Sequence, residues 1–245
     1  MMAGVLFAAG QNNIRSTFNG IYFEIEDGDI RLTAVDGVRL AHRVRKGVIT
    51  QDGAEAYDGS LYVKFIAPRS SMSELLKMLS DGEGLAEVEL AEKHVIVSFG
   101  NIMFFSRLVD GEYIDYKRII PYNVLTRVAI DRESFIQSVE RASIILDERV
   151  KYIKLDFCGD GTLKISGSTS VGNVYDECPA MLTGEPLTIG FNSRNLAETL
   201  RAADEEQITL CLESATKAMI VYPKDEEGHD SRFTYLVLPV RLLNG

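Results

Sequence analysis

Hydrophobic and polar positions alternate along the first part of the chain with the period of β-strands. Over residues 19–34, Ile21, Phe23 and Ile25 alternate with polar neighbours, Asp27, Gly28 and Asp29 supply a turn, and Ile30, Leu32 and Ala34 resume the alternation, which predicts a β-hairpin. Asp36-Gly37 is a second turn, after which Val38, Leu40, His42 and Val44 alternate with Arg39, Ala41, Arg43 and Arg45. Three successive antiparallel strands follow. Ahead of them, Val5, Leu6 and Ala9 fall at helical spacing, with Gly10 to end a helix over 1–9 and nothing to cap its start.

Residues 61–67 read as the next strand, ended by Pro68. Met72, Leu75, Leu76 and Leu79 then recur at i, i+3, i+4 and i+7, predicting a helix over 69–79 that Asp81-Gly82 closes. Strands at 86–90, 95–99 and 102–108 follow, with turns at Glu92-Lys93 and Gly100-Asn101.

The second half repeats this order. Asp131 is placed to cap a helix running to Ile144, with Ile130 and Phe135 as a hydrophobic staple and Val139 and Ala142 continuing the stripe. Strands at 152–157 and 163–167 pair across Gly159-Asp160-Gly161, and another lies near 173–178. A strand at 187–191 leads into a helix capped by Asn192 or Ser193, with Leu196 and Leu200 on one face. Strands at 208–212, 218–222 and 233–240 complete the set. FIAPRSSMSELLKML in the first half resembles TIGFNSRNLAETLRA about 120 residues further on, a period of duplicated domains rather than of a solenoid. The expected division is 1–121 and 122–245.

Residues 107–121, RLVDGEYIDYKRIIP, are neither a clean strand nor a clean helix. Tyr113, Ile114, Tyr116, Ile119 and Ile120 interleave with Glu112, Asp115, Lys117 and Arg118 behind the turn Asp110-Gly111. An interdomain connector whose apolar residues pack in a groove fits, and so does a connector that also forms one wall of a binding pocket.

Composition narrows the function classes. The hydrophobic content of 46% and charged content of 25% are those of a soluble globular protein. A net charge of -10 excludes a uniformly basic nucleic-acid binder, leaving any DNA contact to a local patch. Cys158, Cys178 and Cys211 are odd in number and widely spaced, so neither a disulfide framework nor a zinc ribbon is expected but buried thiols in a reducing, cytoplasmic setting. The first residues have no basic stretch and too short an apolar run for a signal peptide or membrane span.

Catalytic signatures are absent: no glycine-rich phosphate loop, no GxSxG, no HExxH, and His42, His94 and His229 have no motif partners. Asp36, Asp110 and Asp115 could converge as a carboxylate metal site of a hydrolase or nuclease, although the glycines after Asp36 and Asp110 give those two a turn role instead. The acidic stretch 224–230 reads as a solvated hairpin tip.

Three of these stretches, AVDGVRLA at 34–41, RLVDGEYIDYKRIIP at 107–121 and YLVLPVRL at 235–242, resemble the signatures of the bacterial DNA polymerase III β subunit, the replicative sliding clamp. The resemblance covers nearly the whole chain. It implies an α+β DNA-clamp (processivity) fold, two domains each a duplicated β-α-β-β-β unit with helices on one face of antiparallel sheets. It also implies a non-catalytic, cofactor-free subunit whose ring encircles duplex DNA and tethers a polymerase. Only the family's central and C-terminal domains are represented; its N-terminal domain and the first strand of its central domain have no counterpart here. Two forms are therefore expected, a monomer that cannot encircle DNA or a six-domain ring of three chains.

By the same resemblance, short linear peptides from DNA polymerase, the clamp loader and repair proteins would enter an interdomain pocket walled by Phe18, Val35, Gly37, Arg39 and Leu40, by Ile114, Arg118 and Ile119, and by Leu236, Leu238, Pro239, Val240 and Arg241. Burying a peptide leucine and phenylalanine there supplies about 1.5–3 kcal/mol each, which after ordering costs suggests roughly micromolar affinity. Lys77, Arg132, Arg141, Arg194 and Arg201 on helices, with Asn12, Arg15 and Arg69, are the residues placed near DNA, where loose phosphate contacts permit sliding. Ile114 stands where the family often has proline and Val240 where it often has methionine, and the chain runs on through Leu243, Asn244 and Gly245.

Overall fold

The computed structural model describes residues 1–26, 28–47, 62–79, 84–121, 123–146, 151–228 and 231–242. Asp27, Leu61, Asp81-Gly82, His229, Asp230 and the terminal Leu243, Asn244 and Gly245, expected in turns, a strand or the tail, lie outside the described residues. The chain divides into two compact units, Met1–Asp115 and Tyr116–Gly245. That division falls inside the connector, ahead of 121. Tyr116, in a short 3-10 turn, and Ile120 are both buried, so the end of the connector is packed structure.

The first unit opens with a short helix, α1 (Ala3–Leu6), whose N-terminus has no side-chain cap, and a 3-10 turn over Ser16–Asn19. β1 (Gly20–Glu26), β2 (Asp29–Val35) and β3 (Arg39–Arg45) form the expected antiparallel run, and β4 (Tyr62–Pro68) pairs with the far edge of β1. The sheet order is β3-β2-β1-β4. α2 (Arg69–Leu79) turns Met72 and Leu75 into the core, as its apolar spacing requires. β5 (Glu87–Ala91), β6 (His94–Phe99) and β7 (Ile102–Arg107) make a separate three-stranded sheet.

In the second unit the β-α-β-β-β repeat is complete twice: β8 (Thr126–Asp131), α3 (Arg132–Ser143), β9 (Tyr152–Phe157), β10 (Thr162–Thr169) and β11 (Gly172–Gly184), then β12 (Leu187–Asn192), α4 (Ser193–Ala202), β13 (Gln207–Leu212), β14 (Met219–Pro223) and β15 (Phe233–Val237). The eight strands run β12-β9-β10-β11-β8-β13-β14-β15, every neighbour antiparallel. β8 joins the two halves of this sheet. The first unit has no described strand in the corresponding place, so its two half-sheets stay separate.

Both long helices of this unit are capped as the sequence indicates. The Asp131 carboxylate accepts from the Ser134 amide at 2.8 Å, and the Asn192 side chain from the Asn195 amide at 3.0 Å, each satisfying a backbone donor that the first helical turn leaves unpaired. At its other end α4 places the Ala202 carbonyl 2.9 Å from the Tyr235 hydroxyl, which donates to it. Phe135, Val139 and Ala142 of α3 and Leu196 and Leu200 of α4 are buried together with the inward residues of β9 and β10, whose burial alternates strictly.

Two details depart from the sequence reading. Of the cysteines, Cys178 and Cys211 are buried but Cys158 is exposed, because it follows the last residue of β9 in the turn to β10. The acidic stretch after β14 is not simply solvated. Glu227 takes Arg127 through two hydrogen bonds of 2.8 and 3.0 Å, and Glu226 accepts from the Arg232 amide at 3.0 Å and its guanidinium at 2.7 Å.

Candidate functional site

The first set of expected peptide-binding residues lies on the β2–β3 turn and its surroundings. Gly37 takes a φ of +99°, with nothing within 4 Å of where a Cβ would sit, so glycine is needed there for backbone conformation and not for space. Asp36 fixes the turn from below. One carboxylate oxygen accepts from the Val38 and Arg39 amides at 2.9 and 2.7 Å, and the other faces the Arg39 guanidinium at 2.8 Å. Arg39 also lies over the Phe7 ring, 5.6 Å from its centroid. Val35 and Leu40 are buried as a cross-strand pair.

Phe18 is buried beneath the preceding loop, where the Arg15 guanidinium covers its ring at 5.0 Å. Behind it stands Tyr113, tilted against Phe18 with centroids 6.4 Å apart and stacked on Tyr22 at 4.8 Å and 8°. The Tyr113 hydroxyl is buried near the Val35 backbone without reaching hydrogen-bonding geometry. Tyr113 and Tyr22 were not among the residues the sequence singled out for the site. The signal was the tyrosine itself, two residues after Gly111, whose φ of +127° reverses the chain against Thr17. Ile114 follows, half-buried.

On the second unit, Arg118 is exposed on the 3-10 turn and Ile119 half-buried behind it. β15 ends at Val237, earlier than the strand read over 233–240, because Pro239 has no amide to continue a ladder. Leu236 is buried in the strand. Leu238 and Arg241 are exposed, and Pro239 and Val240 half-buried. The Val240 amide then donates to the Gly190 carbonyl of β12 at 2.9 Å.

The candidate DNA-binding residues divide by what already engages them. On the first unit, Asn12 is exposed in the left-handed region at φ +57°, Arg15 is exposed, and Arg69 donates to the Leu6 carbonyl at 3.3 Å. Lys77 pairs with Glu74 at 2.8 Å. On the second unit every candidate arginine meets an acid: Arg132 with Glu133 at 3.9 Å, Arg141 with Asp176 at 2.5 Å, Arg194 with Glu198 at 2.9 Å, and Arg201 with Glu140. Arg132 also donates to the Glu205 carbonyl at 2.9 Å. The basic set is therefore largely balanced charge by charge.

The aspartates of the hydrolase alternative receive no support. Asp36 is committed to its turn and to Arg39, and among the described residues no group of three or more His, Cys, Asp and Glu is placed to hold a metal ion. His42 is buried on β3, its Nδ1 2.9 Å from the Thr33 hydroxyl of the neighbouring strand, a structural pairing. No described helix is long and apolar enough to cross a membrane.

Residues 1–115 match the family model of the DNA polymerase III beta subunit, central domain, and residues 117–241 that of its C-terminal domain. The chain belongs to the DNA polymerase III beta-subunit family. Among curated relatives, the Beta sliding clamp of Halalkalibacterium halodurans is 32% identical over 239 residues, 96% of this chain and 60% of the relative, and that of Staphylococcus aureus 31% over 243 residues, 98% and 61%. The solved DNA polymerase sliding clamp of Bacillus subtilis superposes with a TM-score of 0.89 at 27% identity, covering 99% of this chain and 61% of that one. A Pseudomonas aeruginosa sliding clamp solved with ligand gives 0.87 at 28%, covering 98% and 63%. The chain thus spans about three fifths of the length of these relatives. The α+β clamp fold of the beta-subunit family is the fold seen in both units.

Proposed function

We propose that this chain acts as a sliding-clamp processivity factor of DNA replication: a non-catalytic, cofactor-free subunit that tethers DNA polymerase to duplex DNA and receives short linear peptides of polymerase, clamp-loader and repair proteins. The observation that carries this reading is the succession of both beta-subunit domains over nearly the whole chain, at TM-scores of 0.89 and 0.87 to sliding clamps. The signature stretches support it further: Ile114 and Ile119 of the second and Leu238 and Val240 of the third are exposed or half-buried apolar side chains.

The test is fluorescence anisotropy of a labelled peptide of glutamine-leucine-x-leucine-phenylalanine type, titrated with the chain and with its Arg118→Ala and Leu238→Asp variants. Saturable binding at roughly micromolar concentration, weakened by both variants, is expected. Absence of saturation by the unaltered chain, or binding that both variants leave unchanged, would overturn the peptide-binding role.

The functional form proposed is a homo-oligomer. Met103 and Phe105 stand exposed on one face of the edge strand β7, and an apolar face beside an unpaired strand edge favours association. Sedimentation at micromolar concentration should reveal species heavier than the 27.2 kDa chain; a 27 kDa species alone would leave the monomer that cannot encircle DNA.

A further inference from the structure

β12 lies at the end of the second unit's sheet, so among the described residues one of its edges has backbone groups that no neighbouring strand uses. The segment following β15 returns to that edge. After Leu238 and Pro239, Val240 forms an antiparallel bridge with Gly190, its amide donating to the Gly190 carbonyl at 2.9 Å. The residue opposite is a glycine inside a strand, an unfavourable choice unless something approaches closely. Its backbone does not lie in the positive-φ region, so conformation gives no reason for it. Space does. A Cβ on Gly190 would stand 2.6 Å from Leu242 Cδ2, 3.1 Å from Leu242 Cγ and 3.2 Å from Val240 Cγ2. The three nearest atoms all belong to the returning segment.

We propose that Gly190 is a positioning residue for peptide binding: by lacking a side chain it seats Leu242 and Val240 on β12, and so holds 238–241 taut between the end of β15 and the β12 edge. The inference rests on the reading of 236–241 as a peptide-binding wall and adds to it a residue remote in sequence that sets the wall's course. Leu238 and Pro239 make no bridge of their own in this span. Anchored at Val237 and Val240, they present their side chains in one arrangement; released at Val240, they join a free tail whose ordering must be supplied by the ligand.

The experiment compares the unaltered chain with Gly190→Val, Leu242→Ala and the double variant Gly190→Val/Leu242→Ala. Valine suits a strand, so Gly190→Val should leave the thermal midpoint of the unit nearly unchanged while displacing the tail. Exchange of the Val240 amide, followed by NMR, should quicken by about tenfold or more in Gly190→Val, and labelled-peptide affinity should fall about tenfold. The double variant, which clears the nearer of the two side chains that valine meets, should regain part of both. Unchanged Val240 exchange in Gly190→Val overturns the seat. Faster exchange with unchanged peptide affinity overturns the positioning role, and so does a loss that the double variant fails to recover. If the unaltered chain itself does not bind, the peptide-site reading falls and takes the positioning role with it, while Val240 exchange still decides whether Gly190 seats the tail.

Discussion

Asp36 and Arg39 close the β2–β3 turn with one carboxylate that serves both the backbone and the guanidinium, at 2.7 Å to the Arg39 amide and 2.8 Å to its side chain. The two side chains are only 13% and 11% exposed, so this pair is screened far less than the surface pairs on the helices. Removing the carboxylate leaves two amide donors and a cation to find other partners. Asp36→Ala should therefore cost about 1–3 kcal/mol of stability in the first unit, read as a lowered urea midpoint, and should weaken peptide binding by freeing Arg39. Asp36→Asn keeps an acceptor for the turn amides and should restore most of the stability but not the peptide affinity.

The caps and ion pairs of the second unit set its response to acid. Hydrogen bonds from Ser134 hold the Asp131 carboxyl below its ordinary 3.8, the Arg141 guanidinium does the same for Asp176, and Arg127 lowers Glu227. Each folded-state value is depressed, so each contributes stability above the ordinary carboxylate value that is lost as pH falls through the lower one. Thermal midpoints measured from pH 6 downward should fall steeply below about pH 4. Asp131→Asn, which still caps α3 but does not titrate, should show a shallower fall; an identical slope would exclude Asp131 as a contributor.

How much of this was legible in the sequence depends on whether one local rule governed each stretch. The spacing of Met72, Leu75 and Leu79 marked α2 from its first residue to its last, and Asp131 announced its own cap. The sequence reading covers only about half of β11, near 173–178, and the observed strand runs on through Pro179. It lies where the strand passes from pairing with β10, Thr162 opposite Pro179, to pairing with β8, Ala180 opposite Ile130, and a missing amide is tolerated at that change of partner. The signature stretches were recognisable as family motifs, whereas nothing in the sequence pointed to the packing of Tyr22, Tyr113 and Gly190. Their contacts come from approach in space by segments distant in sequence, which no periodicity records.

Thiol chemistry gives an independent check on packing. Burial pushes the Cys178 thiol up to about 11 and that of Cys211 up to about 12, whereas Cys158 is exposed. With an aromatic disulfide reagent at pH 8, one thiol should react rapidly in the folded protein and the other two only at the rate of unfolding. Cys158→Ser should abolish the fast phase.

The helix ion pairs predict opposite results for DNA. Because Arg201 is held by Glu140 and Arg141 by Asp176, replacing either arginine uncovers its acid, and low-salt affinity for duplex DNA should fall a few-fold. Replacing the acid should do the opposite. Glu140→Gln leaves Arg201 unopposed for phosphate, so low-salt affinity for duplex DNA should rise a few-fold, with the salt dependence steepened by about one released counterion. If Glu140→Gln leaves both quantities unchanged while Arg201→Gln lowers affinity, Arg201 reaches phosphate despite its partner, and the ion pair yields when DNA arrives.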